Sequence, residues 1–251
     1  MKTSDFAYFS GPKPRLLAHR GLAEHKGIAE NTLEAFQEAL RHGATHLESD
    51  THATADGHAV LVHDADLKRV AGVDAQVGEL SLRELKAIEL HGGGKIPTLS
   101  QVLAALPEAR FNLDIKVKSA ISPTIAAIEE RRAHHRVLVS SFSNPIRLSA
   151  LKGSSAPIAT SGSLSTVLTA WILHKAAFGI GVQSVLRRVQ ALQIPESKGP
   201  ITFATKKFIS RVQGCDTEVH VWTINDPVRM RELIELGADG IVSDRVDLFA
   251  G

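Results

Sequence analysis

The 251-residue chain reads as an α/β protein, a TIM-type (β/α)8 barrel with a short β-hairpin and a small insertion after the second strand. Three observations predict this fold. Short β-branched runs alternate with longer helical patterns from end to end, the arrangement of a parallel sheet with crossover helices. Eight such runs suit a barrel, and the length lies in the range that one barrel occupies. A ninth run follows its predecessor too closely to be parallel, because a parallel crossover takes roughly a dozen residues or more. A single domain over 1–251 is expected, with the insertion at about 65–97.

The first strand is "RLLAHR" (15–20), followed by the helical pattern "NTLEAFQEALRHG", which stops on a glycine. The second strand is "HLESDT" (46–51), and "AVLVHD" (59–64) comes only a few residues later, across Asp56-Gly57. Asp-Gly is a hairpin signal, so 59–63 should run back antiparallel and carry His63 toward the end of the second strand. The patterns "SLRELKAIEL" and "TLSQVLAALPEA" lead to the strand "RFNLDIKV" (110–117), and "SPTIAAIEERRAHH" leads to "RVLVSSF" (136–142). Strands "PIATSG" (157–162), "ALQIPE" (191–196) and "VHVWTI" (219–224) follow. The helix "DPVRMRELIELGA", with an aspartate cap ahead of proline, precedes the last strand, "DGIVSD" (239–244). The most apolar stretch, 166–183, is interrupted by His174 and Lys175 and falls short of the roughly 20 clean residues of a membrane span. It reads as a buried or barrel-flanking helix, with transient contact to lipid-like substrate or a membrane surface as the alternative.

Hydrophobic residues make up 43% and charged residues 22%, enough to bury a sizeable core. The net charge of +2, with no basic run interleaved with aromatics, makes no case for nucleic acid. Cys215 is the only cysteine, which excludes an intramolecular disulfide and a cysteine-based zinc site. The first fifteen residues lack the apolar run of a secretory signal, so a cytoplasmic location is expected. Gly92-Gly93-Gly94 has no preceding strand and no lysine-serine pair, against a nucleotide loop.

Chemistry concentrates at the late ends of strands, where barrel enzymes react. Residues i and i+2 of a strand share a face, so Glu48 and Asp50 point one way, as do Asp114 and Lys116. Three carboxylates facing one barrel mouth need a compensating cation, and an all-oxygen set favours magnesium or calcium, with manganese a further option. Ion pairing to Arg20 and Lys116 is the competing explanation. His19 and His63 suit proton transfer near neutral pH, one accepting from the nucleophile and one donating to the leaving oxygen. Arg20 and Lys116 supply positive charge for a phosphoryl group. Glu30 and Asn31 open a helix, Asn31 as a plausible cap, and helix starts also bind anions. Trp222 either floors a pocket or fills the core. His46 and His52 share the parity of Glu48 and Asp50 and are left open between supporting the site and the surface. His25, His42, His91, His134 and His135 read as solvated.

His19-Arg20-Gly21, Glu30-Asn31-Thr32, Glu48-x-Asp50, His63-Asp64, Asp114-x-Lys116, Ser141-Phe142, Trp222-Thr223-x-Asn225 and the closing "GADGIVSD" together resemble, in order, the motifs of the glycerophosphodiester phosphodiesterase family. That family lies in the phosphatidylinositol phospholipase C-like phosphodiesterase superfamily. The resemblance implies a TIM-type barrel in which a divalent cation, held by Glu48, Asp50 and Asp114, helps hydrolyse glycerophosphodiesters to glycerol 3-phosphate and an alcohol. It further implies that His19 and His63 are the acid/base pair, that Arg20 and Lys116 contact phosphate, and that the glycerol 2-hydroxyl attacks phosphorus to form a cyclic phosphate. Three departures stand out: Ala29 where proline is common, Asp114 where glutamate is usual, and Asp244-Arg245 where aspartate-proline is usual, the last read as structural only. The rivals are a lysophospholipase D-like enzyme of the same superfamily, a barrel that binds phosphodiesters without catalysis, and an aldolase-type barrel using Lys116.

Overall fold

The computed structural model describes residues 2–23 and 27–249, so His25 lies outside the described residues. Strands form at β1 (Arg15–His19), β2 (His46–Ala53), β3 (Ala59–Leu61), β4 (Phe111–Ile115), β5 (Val137–Ser140), β6 (Ala159–Thr160), β7 (Ala191–Pro195), β8 (Ser197–Lys198), β9 (Ile201–Thr202), β10 (Glu218–Trp222) and β11 (Gly240–Ser243). Eight run parallel in the order β6-β5-β4-β2-β1-β11-β10-β7. Backbone bonds from Gln190 to Thr160 (3.0 Å) and from Gly162 to Ala191 (2.9 Å) bring β6 and β7 together into a nearly closed barrel. These are the eight strands expected from the sequence. β3 returns antiparallel on β2, with Thr51 opposite Leu61 and Ala53 opposite Ala59, as the Asp56-Gly57 turn requires. The small β8–β9 hairpin was not foreseen.

Helices surround the barrel: α1 (Leu33–Arg41), α2 (Lys68–Ala71), α3 (Leu82–Leu85), α4 (Leu99–Ala105), α5 (Ile121–Glu130), α6 (Asn144–Gly153), α7 (Leu164–Ala176), α8 (Val182–Leu186), α9 (Lys206–Gln213) and α10 (Pro227–Leu236). Ser81 with Glu84, and Thr98 with Gln101, form reciprocal caps on α3 and α4. Asp226 caps α10 and Gly237, at φ 116°, ends it in a conformation that disfavours a side chain. The α1 cap is Thr32, whose Oγ1 accepts from Ala35 N (3.2 Å), and not Asn31. Asn31 instead takes a left-handed backbone (φ 58°), and its Oδ1 accepts from the Ser49 hydroxyl at 2.6 Å. The stretch 166–183 forms most of α7, a turn and the start of α8, and flanks the barrel without being enclosed: Leu168, Ile172, Phe178 and Ile180 are exposed, as is Leu164 at the start of α7. Among the described residues no helix is long and apolar enough to cross a membrane.

At the end of the barrel where the strands begin, the N-terminal segment acts as a plug. Phe6, Tyr8 and Phe9 pack on Leu138, Ala159 and Ala191. Arg15 ties plug to barrel: its guanidinium donates to the carbonyls of Phe9, Ser10, Gly11 and Pro12 and to the Glu218 carboxylate at 3.0 Å. His46 belongs to this end too, fully buried against the Tyr8 ring and 3.0 Å from the Tyr8 carbonyl, and burial pulls its pKa down to about 3. Burial alone would raise the Glu218 pKa, yet hydrogen bonds to His220 and Arg15 outweigh it and hold it at about 2.

A carboxyl depressed on folding stabilises the fold above its unfolded pKa and ceases to do so as pH falls through the folded one. Glu218→Gln is therefore expected to lower the unfolding free energy by roughly 3 kcal/mol in urea titrations at pH 7, since it leaves Arg15 without its counter-charge. The gap between variant and parent should narrow as pH falls from about 4.5 to about 2.

Candidate active site

The register of three neighbouring strands assembles the site. In β1 and β2, His19 stands opposite Glu48; in β2 and β4, Asp50 stands opposite Asp114. Adjacent strands lie roughly 4.8 Å apart, so side chains in register on one face are forced together. Here they meet at the ends where the strands finish, in a cavity of about 250 Å³ that His19, Arg20, Glu48, Asp50, His63, Asp114, Lys116 and Trp222 all line. All eight come from the sequence motifs, and none sits elsewhere. Gly21 shows why the first motif ends in glycine. Its φ is 85°, and a Cβ there would lie 2.7 Å from Ala35 of α1, so a side chain would push α1 off the barrel.

Each of the two histidines is held by an aspartate. His19 Nδ1 lies 2.7 Å from Asp244 Oδ1, and Asn225 donates to the other Asp244 oxygen at 2.8 Å. His63 Nδ1 lies 2.7 Å from Asp64, which also accepts from Arg69 Nε at 2.6 Å. A carboxylate on Nδ1 keeps the proton there in the neutral ring, which leaves Nε2 to accept or deliver a proton. Arg69 continues to Glu30 (2.8 Å), and Glu30 to Arg20 (3.2 Å), so Glu30 positions the Arg20 guanidinium rather than facing the cavity itself. His52 is buried and contacts the His63 carbonyl at 3.2 Å. It thus supports the site, while His46 lies at the far end, and neither is on the surface. Of the other histidines expected to be solvated, His91 and His135 are exposed and His134 is half-buried against Glu129 (3.1 Å).

Asp64, Arg69, Asn225 and Asp244 were missed as site residues, and Asp244 is more than a fold element because it fixes His19. The available signal was its place at the end of the last barrel strand. Burial would lower the His19 pKa, but the Asp244 hydrogen bond, helped by the Glu48 charge, leaves it raised.

The carboxylates and cations interlock. Lys116 Nζ lies 2.7 Å from both Asp50 and Asp114, and Arg20 Nε lies 3.5 Å from Asp50. Burial lowers the Lys116 pKa, yet Asp50 and Asp114 prevail and raise it, so the amine stays charged. Burial and the Asp50 charge push Glu48 up to about 8, and burial raises Asp114 despite Lys116. Asp50 Oδ2 and Asp114 Oδ1 are buried without a hydrogen-bond partner. Unpartnered carboxylate oxygens in an all-oxygen set fit a hard divalent cation, and Glu48, Asp50 and Asp114 are the residues that would hold it. Among the described residues no three such side chains enclose a metal as they stand, because Lys116 lies between two of them. Apolar side chains line the cavity as well: Phe142, Leu164, Val167 and Trp222, with Phe142 and Trp222 edge to face at 6.0 Å and Lys116 Nζ 5.7 Å from the Phe142 ring centre.

A barrel mouth with two aspartate-held histidines, two cations and buried carboxylates is that of a phosphoric diester hydrolase. The Glycerophosphoryl diester phosphodiesterase family matches residues 19–248, and the chain belongs to that family. It is 37% identical over 235 residues to a probable glycerophosphodiester phosphodiesterase 2 of Mycobacterium tuberculosis, covering 92% of this chain and 88% of that one. It is 28% identical over 263 residues to the lysophospholipase D GDPD1 of Rattus norvegicus, covering 92% and 83%. The glycerophosphodiester phosphodiesterase of Thermotoga maritima superposes with a TM-score of 0.73 at 26% identity, covering 96% and 98%.

Asp244→Asn removes the partner that raises the His19 pKa, so that pKa is expected to fall, as read from the imidazole proton resonances over a pH titration. Hydrolytic turnover should fall by about 10² or more, because the ring is freed to take the wrong tautomer.

Proposed function

We propose that the chain hydrolyses glycerophosphodiesters to glycerol 3-phosphate and an alcohol, with one divalent cation and with His19 and His63 as the proton-transfer pair. The observation that carries this reading is the pairing of both histidines with aspartates at one mouth, facing Glu48, Asp50 and Asp114. A barrel that only bound a phosphodiester would need the charges but no proton shuttle. Lys116 lies between two carboxylates that keep it protonated, which argues against an imine-forming aldolase role.

Magnesium, calcium or manganese, held by Glu48, Asp50 and Asp114, would polarise the phosphate and offset its growing negative charge. Arg20 and Lys116 draw the phosphate oxygens in, Arg20 being aimed by Glu30. Asn31 braces the loop behind them through Ser49. One histidine Nε2 takes the proton of the glycerol 2-hydroxyl as its oxygen bonds phosphorus. The other gives its proton to the departing alcohol oxygen, and water then opens the cyclic phosphate with the roles reversed. Trp222 and Phe142 shape the wall that the glycerol and head group meet. The reading takes 1–251 as one domain. It places the enzyme in the cytoplasm, with a transient membrane-surface contact through 166–183. Lysophospholipase D action is a second reading, favoured by the apolar wall of Phe142, Leu164 and Val167 on which an acyl chain would lie.

Phosphorus NMR of the protein with glycerophosphocholine and, separately, with lysophosphatidylcholine tests both readings. Glycerol 3-phosphate from glycerophosphocholine is expected with magnesium or calcium and is expected to vanish with chelator; cleavage of lysophosphatidylcholine alone would establish the second reading. No product from either substrate under any metal sinks both. His19→Ala and His63→Ala should each reduce turnover by about 10²–10⁴. Asp114→Glu, which restores the family's usual residue, should keep activity within about tenfold of the parent while changing which metal serves best, because its carboxylate reaches one methylene further.

A further inference from the structure

A helix that is apolar on every side is normally enclosed on every side. The inner face of α7, with Val167 and Ala170, packs toward the barrel, yet Leu164, Leu168 and Ile172 form a second row at i, i+4 and i+8 that faces solvent. The turn after α7 adds Phe178 and Ile180, which are 86% and 77% exposed. Single exposed apolar side chains are ordinary, but five on one helix and the turn that follows it mark a contact surface.

The charge around the row is one-sided. Residues 164–213 hold seven Lys and Arg and one acidic residue, Glu196, whereas the rest of the chain holds 22 Lys and Arg against 26 Asp and Glu. Glu196 is engaged by Arg229 at 2.7 Å. Helix α7 packs on both α8 and α9. Three of the cations sit together beside the exposed turn: after burial itself, the charges of Lys175, Arg211 and Lys207 hold down the His174 pKa. The Arg211 guanidinium lies so close to Gly179 that a Cβ there would come within 2.6 Å of it. None of the three cations forms a salt bridge among the described residues. Apolar tips ringed by unpaired cations suit a surface that offers hydrocarbon beneath a layer of negative charge.

We propose that α7, its following turn and α9 form a docking face for a lipid leaflet rich in anionic phospholipid, with Phe178 and Ile180 inserted and Lys175, Lys207 and Arg211 set against lipid phosphates. A second copy of this chain is disfavoured as the occupant, because it would bring two strongly basic faces together. The proposal names the partner of the membrane contact in the reading above, and it rests on the surface geometry alone, so it is tested by binding and not by turnover.

The full chain is floated with vesicles of phosphatidylcholine containing phosphatidylglycerol and with vesicles of phosphatidylcholine alone. Binding is expected to the anionic vesicles only, and to weaken steeply as salt is raised through the range in which surface charges are screened. Phe178→Ser with Ile180→Ser is expected to weaken it by at least about tenfold, and Lys207→Gln with Arg211→Gln by a similar factor. These side chains are exposed and none of them lines the cavity, so thermal unfolding and turnover of soluble glycerophosphocholine should stay as in the parent. Absence of binding to either vesicle overturns the proposal, as does equal binding to both. Self-association by light scattering that Phe178→Ser abolishes, or selective capture of polyglutamate in place of vesicles, overturns it in favour of a second copy or an acidic protein. Failure to cleave any glycerophosphodiester would instead overturn the functional reading and leave vesicle binding standing.

Discussion

The register of β1, β2 and β4 is the constraint on which the rest of the molecule depends. It sets His19 beside Glu48 and Asp50 beside Asp114, and it does so inside a barrel where the backbone has no freedom to separate them. Burying three carboxylates at one mouth is costly unless positive charge accompanies them. Lys116, two residues beyond Asp114 on the same face, and Arg20, next after His19, supply part of that charge from the same strands. The pressure that remains shows in Glu48, which burial and Asp50 hold up at about 8. Packing alone gives no reason to concentrate so much charge in a place where apolar side chains would fill the space more cheaply.

The outer layer is built to hold that register. Thr32 caps α1, and Gly21 lets α1 approach the β1 end closely, which locks the loop carrying Arg20, Glu30 and Asn31. Arg20 and Asn31 both lie in the left-handed region, at 57° and 58°, a strain of order 1–3 kcal/mol each. They are held there by backbone bonds from Arg20 N to the Glu48 carbonyl (3.0 Å) and from Asn31 N to the Arg20 carbonyl (2.9 Å). At the opposite end Arg15 and Glu218 keep the aromatic plug seated, so the barrel is fixed at both rims.

Much of this was legible in the sequence because strand parity is a strict rule. Eight parallel strands and the antiparallel return of β3 follow from the alternation of strand and helix patterns and one Asp-Gly turn, and parity at late strand positions pairs Glu48 with Asp50 and Asp114 with Lys116, whereas Trp222 stayed open between pocket and core. Helices α6, α8 and α9 were harder to read. α6 starts in Asn144-Pro145 and ends among serines and glycine, which reads as loop, and α8 is only five residues long. α9 did carry a pattern, with Thr205 as cap and Phe208, Ile209 and Val212 on its buried face. Parity also cannot tell one level of the barrel from the next, which is why His46 and Glu48 look equivalent in sequence although His46 packs against the plug and Glu48 lines the mouth. The partners of the two histidines follow from tertiary approach: Asp244 is 225 residues from His19.

The antiparallel return of β3 has a mechanical consequence. His19 is mounted on the barrel wall, whereas His63 rides on an arm that leaves the barrel and leads into the segment holding α2 and α3. The two rings therefore work like the jaws of a vise, one fixed and one carried on a slide. The ion-paired run from Asp64 through Arg69 and Glu30 to Arg20 clamps the slide to the fixed jaw. On the proposed reading, the gap between the jaws would set the girth of the phosphodiester they take, and altering the arm would reset it while every barrel strand keeps its sequence.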